Sequence, residues 1–350
     1  MTQDAESAHN SSGPNPGHSF SVYGYEFTLR GGSASAIAGL ASDFAYFRAD
    51  SVSAPFVLDL NEASPNYTAL PECDASVYTP RNVVYRMANQ RVLDYGGRGL
   101  GIVEAGERRF SMTSEDPDLV YEAGYLFLLS QIGEYLDGRQ LHRLHALAMS
   151  YRGRAILVLL PMGGGKSTLG AALLKIPDVE ILSDDSPFIG RDGSALAYPL
   201  RLGLLKGREH EVPSEHVRKI NRMEFGPKFL VDFSYFAPRV VPSASAGLVL
   251  LGRRTLSDKP RLEPASYLTT MRAMVPNIII GLGLFQGLEF LLERRHRELL
   301  GKAGVAFSRA TNAHRLVRRS RNFEFHMGRD IAANAAAIVS LAERSFSGSR

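Results

Sequence analysis

Ala155-Ile-Leu-Val-Leu-Leu160 runs directly into Pro161-Met-Gly-Gly-Gly-Lys-Ser-Thr168. Six consecutive apolar residues suit a strand buried on both faces, as in a sheet covered by helices. Three glycines in a row let backbone N–H groups converge on an anion without Cβ obstruction. Thr168 to Leu174 is small and aliphatic, so a helix is expected after the loop, with an amino end that favours negative charge. Strand, glycine-rich loop and helix in that order are the context a phosphate-binding loop requires. On this reading Gly163, Gly164, Gly165, Lys166, Ser167 and Thr168 bind nucleotide. Lys166 reaches the β- and γ-phosphates and the Ser167 hydroxyl ligates Mg²⁺. One departure stands out: the usual pattern has glycine five residues before Gly165, where this chain has Leu160. Lys166 is the first of 7 lysines in 350 residues, so its place after the glycines does not follow from a lysine-rich composition. The competing reading is a glycine-rich turn with an exposed lysine.

Downstream, Val179 to Leu182 reads as a second buried strand ending at Ser183-Asp184-Asp185. Adjacent carboxylates repel, which raises the proton affinity of one unless a cation lies between them. One can hold Mg²⁺ while the other takes a proton from an attacking hydroxyl; the plainer alternative is an Asp pair capping a loop. His145 to Ser150 is an expected strand upstream. Gly190 to Gly193 is a turn between two short strands, the second closed by Tyr198-Pro199. Ala246 to Leu251 is another strand, and helical patterns run over Tyr267 to Arg295 and Arg329 to Arg344. Met274 to Leu292 is apolar, but Pro276, Asn277, Gln286 and Glu289 make it a buried helix rather than a membrane span. Lys228, in Phe225-Gly-Pro-Lys-Phe229, can reach a transferred phosphate or sit in a solvated loop.

The front of the chain differs. Residues 1–19 are polar, without a basic start or an apolar stretch, and read as a disordered leader rather than a signal peptide. Alternation predicts strands over Phe20–Leu29, Phe56–Leu60, Val83–Val92, Leu100–Val103 and Arg108–Met112. Asp116 to Leu136 has helix spacing, opened by acidic residues. Residues 20–140 are thus expected to form a smaller mixed, mostly β accessory domain, and 141–345 an α/β nucleotide domain. The single cysteine, Cys73, cannot form an internal disulfide, which points to the cytoplasm. Net charge is +4, unevenly spread. Residues 1–150 carry 10 Arg and no Lys against 18 Asp+Glu, leaving 30 basic and 18 acidic side chains behind them. Arg315, Arg318, Arg319 and Arg321 form a basic cluster, read as a solvated helix face or as a hold on an acidic partner. Nucleic acid fits the charge, but no recognition motif accompanies it.

His145 in LHALAMSYRGRAILVLL, the loop PMGGGKST and the early ILSDD together resemble HPr kinase/phosphorylase and its relatives, including the kinases that modify lasso-type peptides. The resemblance covers Leu141 to Gly203 and, more loosely, Phe225 to Leu251; it does not reach residues 1–115. It implies a phosphoenolpyruvate-carboxykinase-like fold and phosphoryl transfer to a serine hydroxyl. It also implies Asp184 as the base, Asp185 and Ser167 as metal contacts, and His145 near the phosphates. The family's later Glu-x-Arg-Gly-Leu-Gly signature is missing. Tyr198-Pro-Leu-Arg-Leu-Gly203 stands at that distance, where Arg201 can still meet phosphate. Without the glutamate, the resemblance does not extend to a second metal contact or to the reverse phosphorolysis.

The expectation is therefore an ATP-dependent kinase using Mg²⁺, acting on a hydroxyl of a protein, peptide or small molecule, with no membrane partner and room for a homo-oligomer. Its rival is a nucleotide-binding ATPase or switch that transfers nothing and recruits a partner.

Overall fold

Tyr23 and Gly24 both take positive φ, 50° and 88°. They fold what alternation predicts as one strand into a hairpin of β1 (Ser19–Val22) and β2 (Tyr25–Arg30). The computed structural model describes residues 18–104, 106–204, 212–223, 226–279 and 299–347, so most of the expected leader lies outside the described residues. After the hairpin come α1 (Ala34–Asp43), β3 (Phe56–Glu62), β4 (Ala75–Tyr78), β5 (Val83–Arg86), β6 (Arg91–Asp94), β7 (Gly99–Glu104), β8 (Arg109–Ser114) and α2 (Pro117–Gly138). The expected strand over Val83–Val92 is also a hairpin, turning where Met87 N–H donates to Gln90 O at 2.9 Å. The sheet order is β1-β2-β3-β8-β7-β6-β5-β4. Asp116 caps α2 by accepting from Asp118 N–H, satisfying one of the orphan donors at a helix start. The helix packs on the sheet through Phe127, stacked on Phe110 at 4.3 Å between ring centroids.

The chain then forms β9 (His142–Arg143), β10 (Leu147–Tyr151), β11 (Arg154–Leu159), α3 (Lys166–Leu173), β12 (Val179–Ser183), β13 (Phe188–Ile189) and β14 (Ala195–Leu196). Next come β15 (Leu202–Leu204), β16 (Val217–Arg222), β17 (Gly226–Val231), α4 (Phe233–Phe236), β18 (Ser243–Arg254) and β19 (Arg261–Pro264). The last elements are α5 (Tyr267–Met274), α6 (Leu299–Arg319), β20 (Arg321–Met327) and α7 (Ile331–Phe346). The second sheet runs β12-β10-β11-β18-β14-β13-β9, with β20 joining β18 and β19 joining β20; β15-β17-β16 form a third. The protein is thus a mixed α/β structure with several sheets.

β11 lies between β10, antiparallel, and β18, parallel. Ile156 and Val158 face Leu169 and Leu173 of α3 and Ile338 of α7. Ala155 and Leu157 face the other way, with Leu316 and Val317 of α6. Cover on both faces is why this strand reads as a continuous apolar run rather than an alternating one. The core under the first sheet takes in Phe188, Tyr198, Leu200, Ile220 and Leu230 as well, so apolar packing continues from the front of the chain to the region around β11.

The helix expected over Tyr267–Arg295 begins as α5 and widens to a π turn over Val275–Ile279. Pro276 cannot supply the N–H that a regular turn needs there. The rest of that pattern, 280–295, lies outside the described residues. Among the described residues no helix is long and apolar enough to cross a membrane.

Candidate functional site

β11 delivers the glycine-rich loop at its carboxyl end, and each glycine is needed there. Gly163 and Gly165 have φ of 72° and 100°, the left-handed region that side chains disfavour. A Cβ on Gly164 would lie 2.8 Å from the Pro161 carbonyl oxygen, which in turn accepts from Gly164 N–H at 2.9 Å. Gly165 is the N-cap of α3, so Lys166, Ser167 and Thr168 make up its first turn. The N–H groups of that turn have no helical acceptor of their own.

Lys166 is only 7% exposed. Its ammonium lies 2.7 Å from His145 Nε2, 3.0 Å from the Leu160 carbonyl and 3.3 Å from Asp185 Oδ1. Three donors thus meet three acceptors. The far side of the imidazole fixes its tautomer. Asn277 donates its amide to Ala273 O, leaving Oδ1 to accept from His145 Nδ1–H at 3.3 Å. His145 Nε2 is then a lone-pair acceptor for the ammonium. Asn277 comes from the π turn, a contact that no motif in the sequence signals.

Ser167 donates its hydroxyl proton to Asp184 Oδ2 at 2.6 Å, and Gly203 N–H donates to the same oxygen at 3.2 Å. Asp184 Oδ1 is buried with no hydrogen-bond partner among the described residues. Burial raises the Asp184 pKa above the usual carboxylate range, aided by the neighbouring Asp185 charge and opposed by the Ser167 bond. Asp185 behaves oppositely. Desolvation would raise its pKa, but the contact with His145 and the charge of Lys166 outweigh it and hold the carboxyl well below its ordinary value. Its side chain is 52% exposed, toward the cavity.

The loop, His145, Asp184, Asp185, Arg201 and Lys228 all line one cavity of about 440 Å³. Lys228, on β17, lies over Gly203, where a Cβ would be 2.8 Å from its Cε and 3.2 Å from Ser167 Oγ. It has no hydrogen bond or ion pair among the described residues, and burial, with Arg201 nearby, lowers its pKa. Arg201 reaches the cavity wall but is held from behind. Its guanidinium bonds to Asp43 at 3.1 Å and to the Tyr121 hydroxyl, and lies 3.7 Å from the Tyr125 ring centroid. Burial opposes its charge, yet Tyr121, Tyr125 and Asp43 more than offset this and raise its pKa. The expected phosphate contact of Arg201 would have to share the guanidinium with Asp43.

Besides Asn277, sequence reasoning missed four participants. Tyr125 and Leu129 bring α2 into the wall, and Arg143 joins them from β9. Arg254, at the end of β18, has Nη1 3.5 Å from where a Gly165 Cβ would be, beside the amino end of α3. Arg143 stands two residues before His145, and strand periodicity alone puts both on one side; that signal was available. Of the basic cluster, Arg315 and Arg319 donate to the carbonyls of Arg191 and Asp192, at 2.8 Å and 2.5 Å. These two therefore clamp the Gly190–Gly193 turn, while Arg318 and Arg321 are exposed.

Among the described residues no group of three or more His, Cys, Asp or Glu side chains could hold a metal. Ser167 and Asp184 fit Mg²⁺ in a different way, because that ion is commonly bound by one or two protein oxygens plus substrate phosphates. The unpartnered Asp184 Oδ1 leaves lone pairs for it.

No protein-family model and no curated protein matches the chain. Among solved structures, an HPr(Ser) kinase/phosphatase from Coxiella burnetii is similar over 35% of this chain and 77% of its own, at 16% identity and a TM-score of 0.21. At that score the likeness adds nothing to the geometry above.

Proposed function

We propose that the chain is an ATP-dependent phosphotransferase with a phosphate-binding loop at Gly163–Thr168. One observation carries the reading. The loop stands at the end of a central, doubly covered strand, and one cavity gathers its lysine, its serine and two carboxylates. A triphosphate in the loop would take the N–H groups of the first turn of α3, with Lys166 turning from His145 and Asp185 to the β- and γ-oxygens. Ser167 and Asp184 would hold Mg²⁺, which when bound neutralises charge on those phosphates. An acceptor hydroxyl attacks the γ-phosphorus, the bond to the β,γ-bridging oxygen breaks, and the hydroxyl proton passes to a carboxylate. Positioning and electrostatics supply most of the acceleration.

The family resemblance implies Asp184 as that base and Asp185 as the metal contact. The geometry favours exchanging them. Asp184 is buried behind Ser167 and bonded to it, whereas Asp185 has its carboxylate toward the cavity. With Lys166 drawn off to phosphate, Asp185 loses one of the two groups that keep it from accepting a proton. The test is incubation of the full chain with Mg²⁺ and γ-labelled ATP in the presence of fractionated cell extract. Label on a protein or small molecule supports transfer; label found only as orthophosphate supports an ATPase switch instead.

A further inference from the structure

The cavity wall also carries a cation outside the glycine loop, Arg143. Tyr125 and Leu129 lie one turn apart on α2, and Gly133 continues the same helix face. The guanidinium of Arg143 rests on Gly133: a Cβ there would be 2.7 Å from Nη2 and 3.0 Å from both Cζ and Nε. Arg143 lines the cavity, yet among the described residues it has no hydrogen bond or ion pair. Burial weighs against its charge and lowers its pKa, with Tyr198 and Asp137 offsetting part of that loss. Arginine nonetheless stays protonated, so a half-buried fork of donors faces the cavity with no protein acceptor among the described residues. Beside it the hydroxyl of Tyr198, also in the cavity wall, is buried and has no partner among the described residues. An unsatisfied buried donor such as the Tyr198 hydroxyl is costly, and one acceptor taken up from the cavity would serve both it and Arg143.

We propose that Arg143 and the Tyr198 hydroxyl form a subsite for an anionic group, carboxylate or phosphate, on a small hydroxyl acceptor. The proposal rests on the phosphotransferase reading and deepens it. Arg143 and His145 are two residues apart along an extended stretch that continues through Leu144 N–H to Pro187 O and Ala146 N–H to Asp185 O. Their Cα atoms are therefore about 7 Å apart. The acceptor's anion would sit at Arg143, with its hydroxyl between the Asp185 carboxylate and the loop. A planar guanidinium presents two parallel donors to either anion, and the buried rings of Tyr125 and Tyr198 exclude water around the pair. The site thus selects hydroxy acids or hydroxyl-bearing phosphate esters over neutral alcohols.

The full chain is first saturated with Mg²⁺ and a non-hydrolysable ATP analogue, so that the glycine loop cannot take up the probe. Inorganic phosphate and acetate are then titrated separately at constant ionic strength, following thermal stabilisation with chloride as the reference. One of the two anions should stabilise wild type saturably, and which one does so identifies the acceptor's anion. Arg143→Gln should raise that midpoint tenfold or more. Gly133→Ala, whose methyl displaces the guanidinium while favouring the helix, should do the same, with the analogue's own affinity unchanged in both. Equal midpoints in all three proteins, or no saturable effect of either anion on the analogue-bound protein, would overturn the subsite and leave the nucleotide reading standing. Failure of the analogue to bind wild type would remove both.

Discussion

Replacing Asp43 with alanine removes the carboxylate on which two largely buried arginines converge. Asp43 ends α1 with its side chain fully buried. Oδ1 accepts from Arg218 Nη2 at 2.6 Å, and Oδ2 from Arg201 Nη1 at 3.1 Å and from the Tyr121 hydroxyl at 2.5 Å. Breaking a buried pair from one side costs about 3–5 kcal/mol, because the remaining charge stays desolvated. Arg218 keeps Asp232 at 3.4 Å, so the loss falls mainly on Arg201 and the lower end, about 3 kcal/mol, applies. At about 2.1 cal/mol/K per residue of unfolding entropy, that lowers Tm by about 4 °C if the chain unfolds as one unit. Urea denaturation followed by circular dichroism measures it. Adding Arg201→Met to Asp43→Ala should restore about 2 kcal/mol or more of the loss, since it removes the stranded cation. A single mutant within about 0.5 kcal/mol of wild type, or strict additivity of the two changes, would refute the idea that Asp43 fixes this wall of the cavity.

Three further outcomes follow from the same geometry. Asp137 joins His142 and Arg309; burial raises its pKa, but these two partners outweigh burial and depress it. Its stabilisation is therefore present above the unfolded carboxyl value of about 3.9 and lost as pH falls through the lower folded value, so Asp137→Asn should flatten the acid limb of a stability-versus-pH curve; an unchanged slope would count against it. Asp184→Ala should raise the Mg²⁺ concentration needed for ATP binding, whereas Asp185→Ala should keep Mg·ATP affinity and lose transfer; identical metal dependence would mean the pair acts as a unit. Changing Arg315 and Arg319 to serine together should cost about 1 kcal/mol by denaturant midpoint, because both hydrogen-bond the Gly190–Gly193 turn across a partly solvated surface; an unmoved midpoint would make them solvated charges.

The legible parts of the sequence were those written in local pattern. The run Ala155–Leu160 announced a strand covered on both faces, and the spacing from Tyr121 to Leu136 announced α2. The hairpins at Tyr23-Gly24 and at Met87–Gln90 were hidden inside apparently continuous strands. Alternation survives a tight turn when the two arms bury the same face, and Tyr23 at positive φ has no distinctive signature. The site divided in the same way. Loop, lysine and carboxylates are contiguous or nearly so and could be found by eye. Asn277, Asp43 and Arg254 reach the site or its wall through long-range packing, which a single sequence does not encode locally. The clamp by Arg315 and Arg319 was likewise invisible, because a basic helix face looks the same whether it meets water or a turn's carbonyls.

The central claim, that Gly163–Thr168 holds a nucleoside triphosphate through Lys166, is met most directly by calorimetric titration of Mg·ATP into wild type and Lys166→Ala. Circular dichroism should show both proteins folded. The account predicts one Mg²⁺-dependent site per chain in wild type and an affinity at least about a hundredfold weaker, about 2.7 kcal/mol, in the variant. Equal affinity in the two folded proteins, or no binding to wild type, would contradict it.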